Sequence, residues 1–91
     1  MSTPSRSVSR DQIVDFVRQC VLTRVGIAPE GLRNDTVLAD IGLESIDVVL
    51  ISGQIEDEFD MEVAPSMMFE YRTIDAVADH MLGLLAQDGR A

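Results

Sequence analysis

Residues 45–59 read Ser-Ile-Asp-Val-Val-Leu-Ile-Ser-Gly-Gln-Ile-Glu-Asp-Glu-Phe. Set at the roughly 100° spacing of an α-helix, they separate into two apolar stripes. Val48, Ile51, Ile55 and Phe59 share one side, the natural core face of a helix running from Ser45 to Phe59. Ile46, Val49, Leu50 and Gly53 lie on nearly the opposite side. A small bundle offers no second core for that stripe, so either a neighbouring loop covers it or it meets a partner. The pattern alone favours neither.

Upstream, residues 26–43 form a long connection rich in turn-formers: Gly26, Pro29, Gly31, Asn34, Asp35 and Gly42. A connection of this length in a compact domain is often functional. Val37, Leu38 and Ile41 are expected to pin it to the bundle, through one short helical turn. Before it, Ser9 and Gln12 have the spacing of a capping box, and Val8 can staple onto Ile13. Ile13, Phe16, Val17, Cys20, Val21 and Arg24 follow helical spacing and supply a core stripe, with Gly26 as the expected stop. Downstream, Pro65 can open a short helix with Met67, Met68 and Phe69 pointing inward. Thr73 caps a last helix on which Ile74, Val77, Ala78, Met81, Leu82 and Leu85 share a face; Gly83 weakens its end.

No strand pattern, repeat or low-complexity segment is visible. The expected fold is all-α: a small bundle of three main helices plus one short helix, with a long loop between helices one and two. Residues 9–86 form the domain, flanked by flexible tails at 1–8 and 87–91.

Ninety-one residues support one modest core, burying about 60–65% of the unfolded surface. Phe16, Phe59, Phe69 and Tyr71 are the only aromatics, so that core must be aliphatic. The net charge is −9, and residues 34–71 hold ten acids without one Arg, Lys or His. The rest of the chain sets six acids against seven Arg. Nucleic acid and anionic membrane are therefore poor partners, since both require basic patches. A basic protein surface is a good one. With no signal peptide or membrane span in the sequence, the protein is expected to be cytoplasmic, and monomeric.

Catalytic chemistry finds little support. His80 is the only histidine and is expected on the exposed side of the last helix. Cys20 is the only cysteine and belongs to an apolar stripe, so a buried structural thiol is its expected role. Glu56, Asp57, Glu58, Asp60 and Glu62 lack the spacing and central glycine of a calcium loop, and no metal is expected there. The stretch Asp40-Ile41-Gly42-Leu43-Glu44-Ser45-Ile46-Asp47 joins the long loop to the second helix. A hydroxyl there sits beside free helix N–H groups, and an attached phosphate would feel the positive end of the helix dipole. Ser45 has a simpler alternative role, as the helix cap.

The run Ile41-Gly42-Leu43-Glu44-Ser45-Ile46-Asp47 resembles the attachment motif of acyl and peptidyl carrier proteins, roughly Gly-x-Asp-Ser-Leu or Gly-x-Asp-Ser-Ile. Ile55-Glu56-Asp57-Glu58-Phe59 looks like the acidic end of that family's second helix. Val63 and Pro65 match its loop into the third helix, and Phe69-Glu70-Tyr71-Arg72-Thr73-Ile74 the segment before its last helix. The resemblance covers approximately Ser9 to Leu85.

It implies that Ser45 receives 4′-phosphopantetheine from coenzyme A, with Gly42, Leu43, Glu44, Ile46 and Asp47 as motif flanks. Acyl or aminoacyl groups would then travel as thioesters on the arm, and the protein itself would not be an enzyme. Ile46, Asp47, Val49, Leu50, Gly53, Glu56 and Asp57 would form the partner interface. The implied partners are a phosphopantetheinyl transferase and loading or chain-modifying enzymes such as a ketosynthase, an acyltransferase or an adenylating ligase. Glu44 departs from the family's usual Asp, and Leu50 stands where many fatty-acid carriers have an acid. Both this and the 69–74 segment point to a free-standing carrier of a polyketide or nonribosomal peptide pathway. The alternatives are a fatty-acid carrier and an unmodified acidic helical interaction module.

Overall fold

The computed structural model describes residues 8–89; of the expected tails at 1–8 and 87–91, residues 1–7 and 90–91 lie outside them. Four helices make up the bundle: α1 (Arg10–Arg24), α2 (Ser45–Phe59), α3 (Met67–Glu70) and α4 (Ile74–Gln87). No strand occurs among the described residues. Helix α1 packs on both α4 and α2.

Each main helix buries the apolar face that its periodicity predicts. Ile13, Val17, Val21, Ile51, Ile55, Ile74, Val77, Met81 and Leu85 are all fully buried. Phe16 and Phe59 close one end edge to face, with ring centroids 5.5 Å apart. Ser9 caps α1 by accepting from the Gln12 N–H, while its own N–H donates to Gln12 Oε1 at 2.7 Å. Thr73 caps α4 through the Ala76 N–H. At the surface, the Arg10 guanidinium bridges to Asp75 and Asp79, clasping α1 to α4.

The first loop is more ordered than a string of turn-formers implies. It holds two 3₁₀ turns, Pro29–Gly31 and Leu38–Ile41, where the sequence predicts one. Leu32 and Leu38 are buried and Ile41 is half-buried, whereas Val37 stays exposed. Polar ties complete the anchorage. The Arg18 guanidinium donates to Pro29 O at 2.8 Å. The Leu38 N–H donates to Arg72 O, and the Asp75 N–H to Asn34 O.

The structure departs from the sequence pattern at three places. Gly26 does not stop α1: the chain leaves at Val25, in extended conformation. The left-handed turn falls instead at Gly42, φ 89°, where a side chain would be strained even though the surroundings are open. Phe69 points outward, 54% exposed, because a single helical turn cannot send three consecutive side chains inward. Met67 and Met68 take the two inward positions. His80 is half-buried rather than exposed, its ring stacked on Tyr71 with centroids 4.2 Å apart.

Cys20 sits in the core, and burial pushes its thiol pKa up, with the nearby Glu58 charge adding to the shift. A thiol held in that form is a poor nucleophile.

Candidate functional site

The head of α2 is built from both sides of Gly42. Its positive φ turns the chain out of the second 3₁₀ turn. Leu43 then anchors against the core, and Glu44 takes the N-cap position in extended conformation. The Asp47 carboxylate reaches back and accepts the Glu44 N–H at 3.0 Å. Its other oxygen accepts Arg24 Nε at 3.1 Å, so the end of α1 braces the start of α2. Asp47 is only 9% exposed.

Ser45 is therefore not the cap but the first helical residue. Its side chain is exposed, and among the described residues its hydroxyl makes no hydrogen bond. The alternative role of Ser45 as a cap has no support in this geometry. The hydroxyl is free for chemistry at a place where backbone N–H groups and the helix dipole favour an attached phosphate. Arg24 offsets the nearby Asp47 charge, which would otherwise repel such a group. An exposed, unengaged hydroxyl at this position fits a phosphodiester-linked group.

The Asp47 carboxyl is held below the ordinary aspartate range, first by the Glu44 N–H and then by the Arg24 guanidinium. A carboxyl depressed in the folded state stabilises the fold above its unfolded value, and the contribution is lost as pH falls through the folded value. The urea midpoint is accordingly expected to drop on acidification below about pH 4. Asp47→Asn is expected to show a shallower drop over the same window; parallel curves for the two chains would contradict this role.

The other expected interface residues divide. Ile46, Val49 and Leu50 are 58%, 50% and 43% exposed, so the loop does not cover the second stripe. Asp57 is exposed and Gly53 half-buried. Glu56 is half-buried and accepts the Val63 N–H at 2.9 Å, which commits it to holding the loop after α2. Asp47 faces inward to Arg24 rather than outward, a correction that its N3 position and the lone polar residue on the α1 stripe could have signalled.

Nothing in the sequence pattern points to the cavity of about 180 Å³ that lies beside the site. Buried Leu38, Val48 and Met68 form its floor, and Val37, Ala39, Leu43, Phe69 and Arg72 its rim. No helix among the described residues is long and apolar enough to cross a membrane.

Residues 15–81 match the family described as "Phosphopantetheine attachment site". The chain is 34% identical over 73 residues to "Non-reducing polyketide synthase terA" of Aspergillus terreus, covering 79% of this chain and 4% of that one. It is 31% identical over 72 residues to a phenolphthiocerol/phthiocerol polyketide synthase of Mycobacterium tuberculosis, again covering 79% and 4%. It thus spans a small fraction of the length of these curated relatives. Among solved structures, a "Free-Standing Peptidyl Carrier Protein" of Acinetobacter baumannii superposes with a TM-score of 0.80 at 27% identity, covering 85% of this chain and 96% of that one.

Proposed function

This chain belongs to the phosphopantetheine attachment-site family, and from that premise we propose that Ser45 is the residue that takes 4′-phosphopantetheine and that the carrier serves polyketide or nonribosomal peptide assembly. The family is one of carriers, not enzymes, and phosphopantetheine is its prosthetic group. When attached, that group supplies a thiol on a flexible tether, to which acyl or aminoacyl cargo is joined.

The protein's own residues present and hold. Gly42 turns the chain, the Glu44 N–H and Arg24 fix Asp47, and the hydroxyl of Ser45 is left outside this network. That exposed, unbonded hydroxyl is the observation that carries the assignment. Tethering then raises the effective concentration of cargo at each partner's active site. Incubation with coenzyme A and a broad-range phosphopantetheinyl transferase is expected to add one arm per chain. A chain left unmodified by several such transferases would count against the assignment.

The pathway assignment rests on the polyketide synthase relatives and on Leu50, an exposed apolar residue in the middle of the outer stripe. Ile46, Val49 and Leu50 form the docking face, with Gly53 and Asp57 further along the same helix. The partners are the transferase and the loading and chain-modifying domains of a synthase. The carrier works beside them in the cytoplasm.

Two contributions to docking can be separated. Acid-driven steering slows association as salt rises, because exposed charges are screened beyond about 8–10 Å. Apolar contact is far less sensitive. Leu50→Asp is expected to weaken binding to a cognate ketosynthase at least tenfold, mainly through dissociation, while added salt slows association. Stopped-flow kinetics at two salt concentrations would check both, and a Leu50→Asp chain that binds normally would remove α2 from the interface.

A further inference from the structure

Gly53 and Gly83 lie inside α2 and α4, where glycine is the poorest helix former after proline. Neither has the positive φ that calls for glycine. A glycine in a helix interior lowers the folding equilibrium constant roughly twofold to fivefold relative to alanine. The chain's own packing requires neither of them: a Cβ added at each meets nothing within 4 Å.

The two differ in their surroundings. Gly83 is exposed on α4, with exposed Asp79, Ala86 and Gln87 one turn away. Gly53 is half-buried at the centre of the outer apolar stripe of α2. Val49 and Leu50 stand one turn before it, Ile46 two turns before it and Asp57 one turn after it, all four exposed. The stripe therefore has a notch at its centre, walled by Val49 and Leu50 and floored by backbone. Such a notch lets another molecule approach the helix closely.

Charge and position narrow what fills it. Glu44 and Asp57 are exposed towards its two ends, and α2 carries no cation. A large apolar side chain set among Lys or Arg matches both the walls and the ends. The transferase is the partner that must come closest to α2. It acts on the Ser45 hydroxyl itself, before any arm exists to bridge a gap. Gly53 lies eight residues beyond that hydroxyl, about 12 Å along the helix axis.

Resting on the docking face assigned to α2, we infer that Gly53 is a specificity-determining contact for the phosphopantetheinyl transferase, whose surface seats a large apolar side chain, flanked by basic residues, in the notch. Any side chain at position 53 fills the notch and holds that group away.

Steady-state modification of the apo chains by a broad-range transferase, with coenzyme A saturating, tests this beside urea unfolding. Gly53→Ala is expected to raise KM for the carrier about fivefold or more, the low end for overpacking a close contact. Gly53→Leu should raise it further, and kcat should stay near the wild-type value in both, because only docking is affected. The urea midpoint of Gly53→Ala should rise, since alanine restricts the unfolded chain. Gly83→Ala should raise the midpoint similarly and leave KM unchanged, which separates a contact at position 53 from the stiffening of a helix.

A wild-type KM for both Gly53 variants, or a KM raised as far by Gly83→Ala, would overturn the inference. So would a lowered midpoint for Gly53→Ala, because the glycine would then serve the chain's own packing. Leu50→Asp, measured beside them, separates the failures. If it raises KM while the Gly53 variants do not, the notch falls and the docking face stands. If it too leaves KM unchanged, the docking face falls with the notch. A wild-type chain that accepts no arm overturns the assignment of Ser45 and this inference together.

Discussion

Ser45→Ala is expected to abolish attachment of the phosphopantetheine arm while leaving the fold intact. The loss should be total, because no other hydroxyl can replace the nucleophilic oxygen at the head of α2. The second half of the prediction is as informative. The side chain is exposed and makes no hydrogen bond among the described residues, and Glu44 rather than Ser45 holds the cap position. Stability should therefore change by no more than about 0.5 kcal/mol, as at an ordinary surface site. A capping serine would cost about 1 kcal/mol when replaced by alanine. Mass spectrometry of the treated variant and urea unfolding of the untreated one measure the two halves separately. A variant still modified at full yield would place the arm elsewhere.

Ile55→Ala is expected to cost about 2–5 kcal/mol, the usual range for emptying a buried aliphatic site. Ile55 is fully buried between the helices. A chain of 91 residues has roughly 5–13 kcal/mol of net stability to lose, so this one change should remove a large share of it. Leu50→Ser, five residues earlier on the opposite stripe, should change stability by about 0.5 kcal/mol or less. Urea midpoints for the two variants make the comparison. Similar losses would mean that the two faces of α2 are wrongly assigned, and with them the docking surface.

The helices are legible in the sequence because apolar periodicity and caps are local. Val48, Ile51, Ile55 and Phe59 reach the core as their spacing demands, and α2 begins and ends where the pattern places it. The Ser9–Gln12 capping box and the Thr73 cap also form as their spacing predicts. What the sequence hides depends on contacts between distant segments. Leu32 is buried only because the loop folds back, tied by the Leu38 N–H to Arg72 O and by Arg18 to Pro29 O. Asp47 reads as an outward acid when its partner Arg24 lies twenty-three residues away in the sequence. Phe69 reads as a core residue on the strength of its apolarity, which says nothing about how many faces a one-turn helix can bury.

At the site itself, the motif locates Ser45 but not the division of labour around it. Glu44 replaces the family's usual Asp, and the longer side chain still leaves its residue at the N-cap, with Asp47 accepting its N–H. The cavity combines the loop, α2 and the turn after α3, a grouping that no single stretch of sequence displays.

The most direct test is fragmentation of the intact wild-type protein after incubation with coenzyme A and a transferase. One phosphopantetheinyl group is expected, carried by the fragment that contains Ser45 and lost from it with the phosphate. A group found on any other residue, or none on a chain shown to be folded, would contradict the claim that this hydroxyl carries the arm.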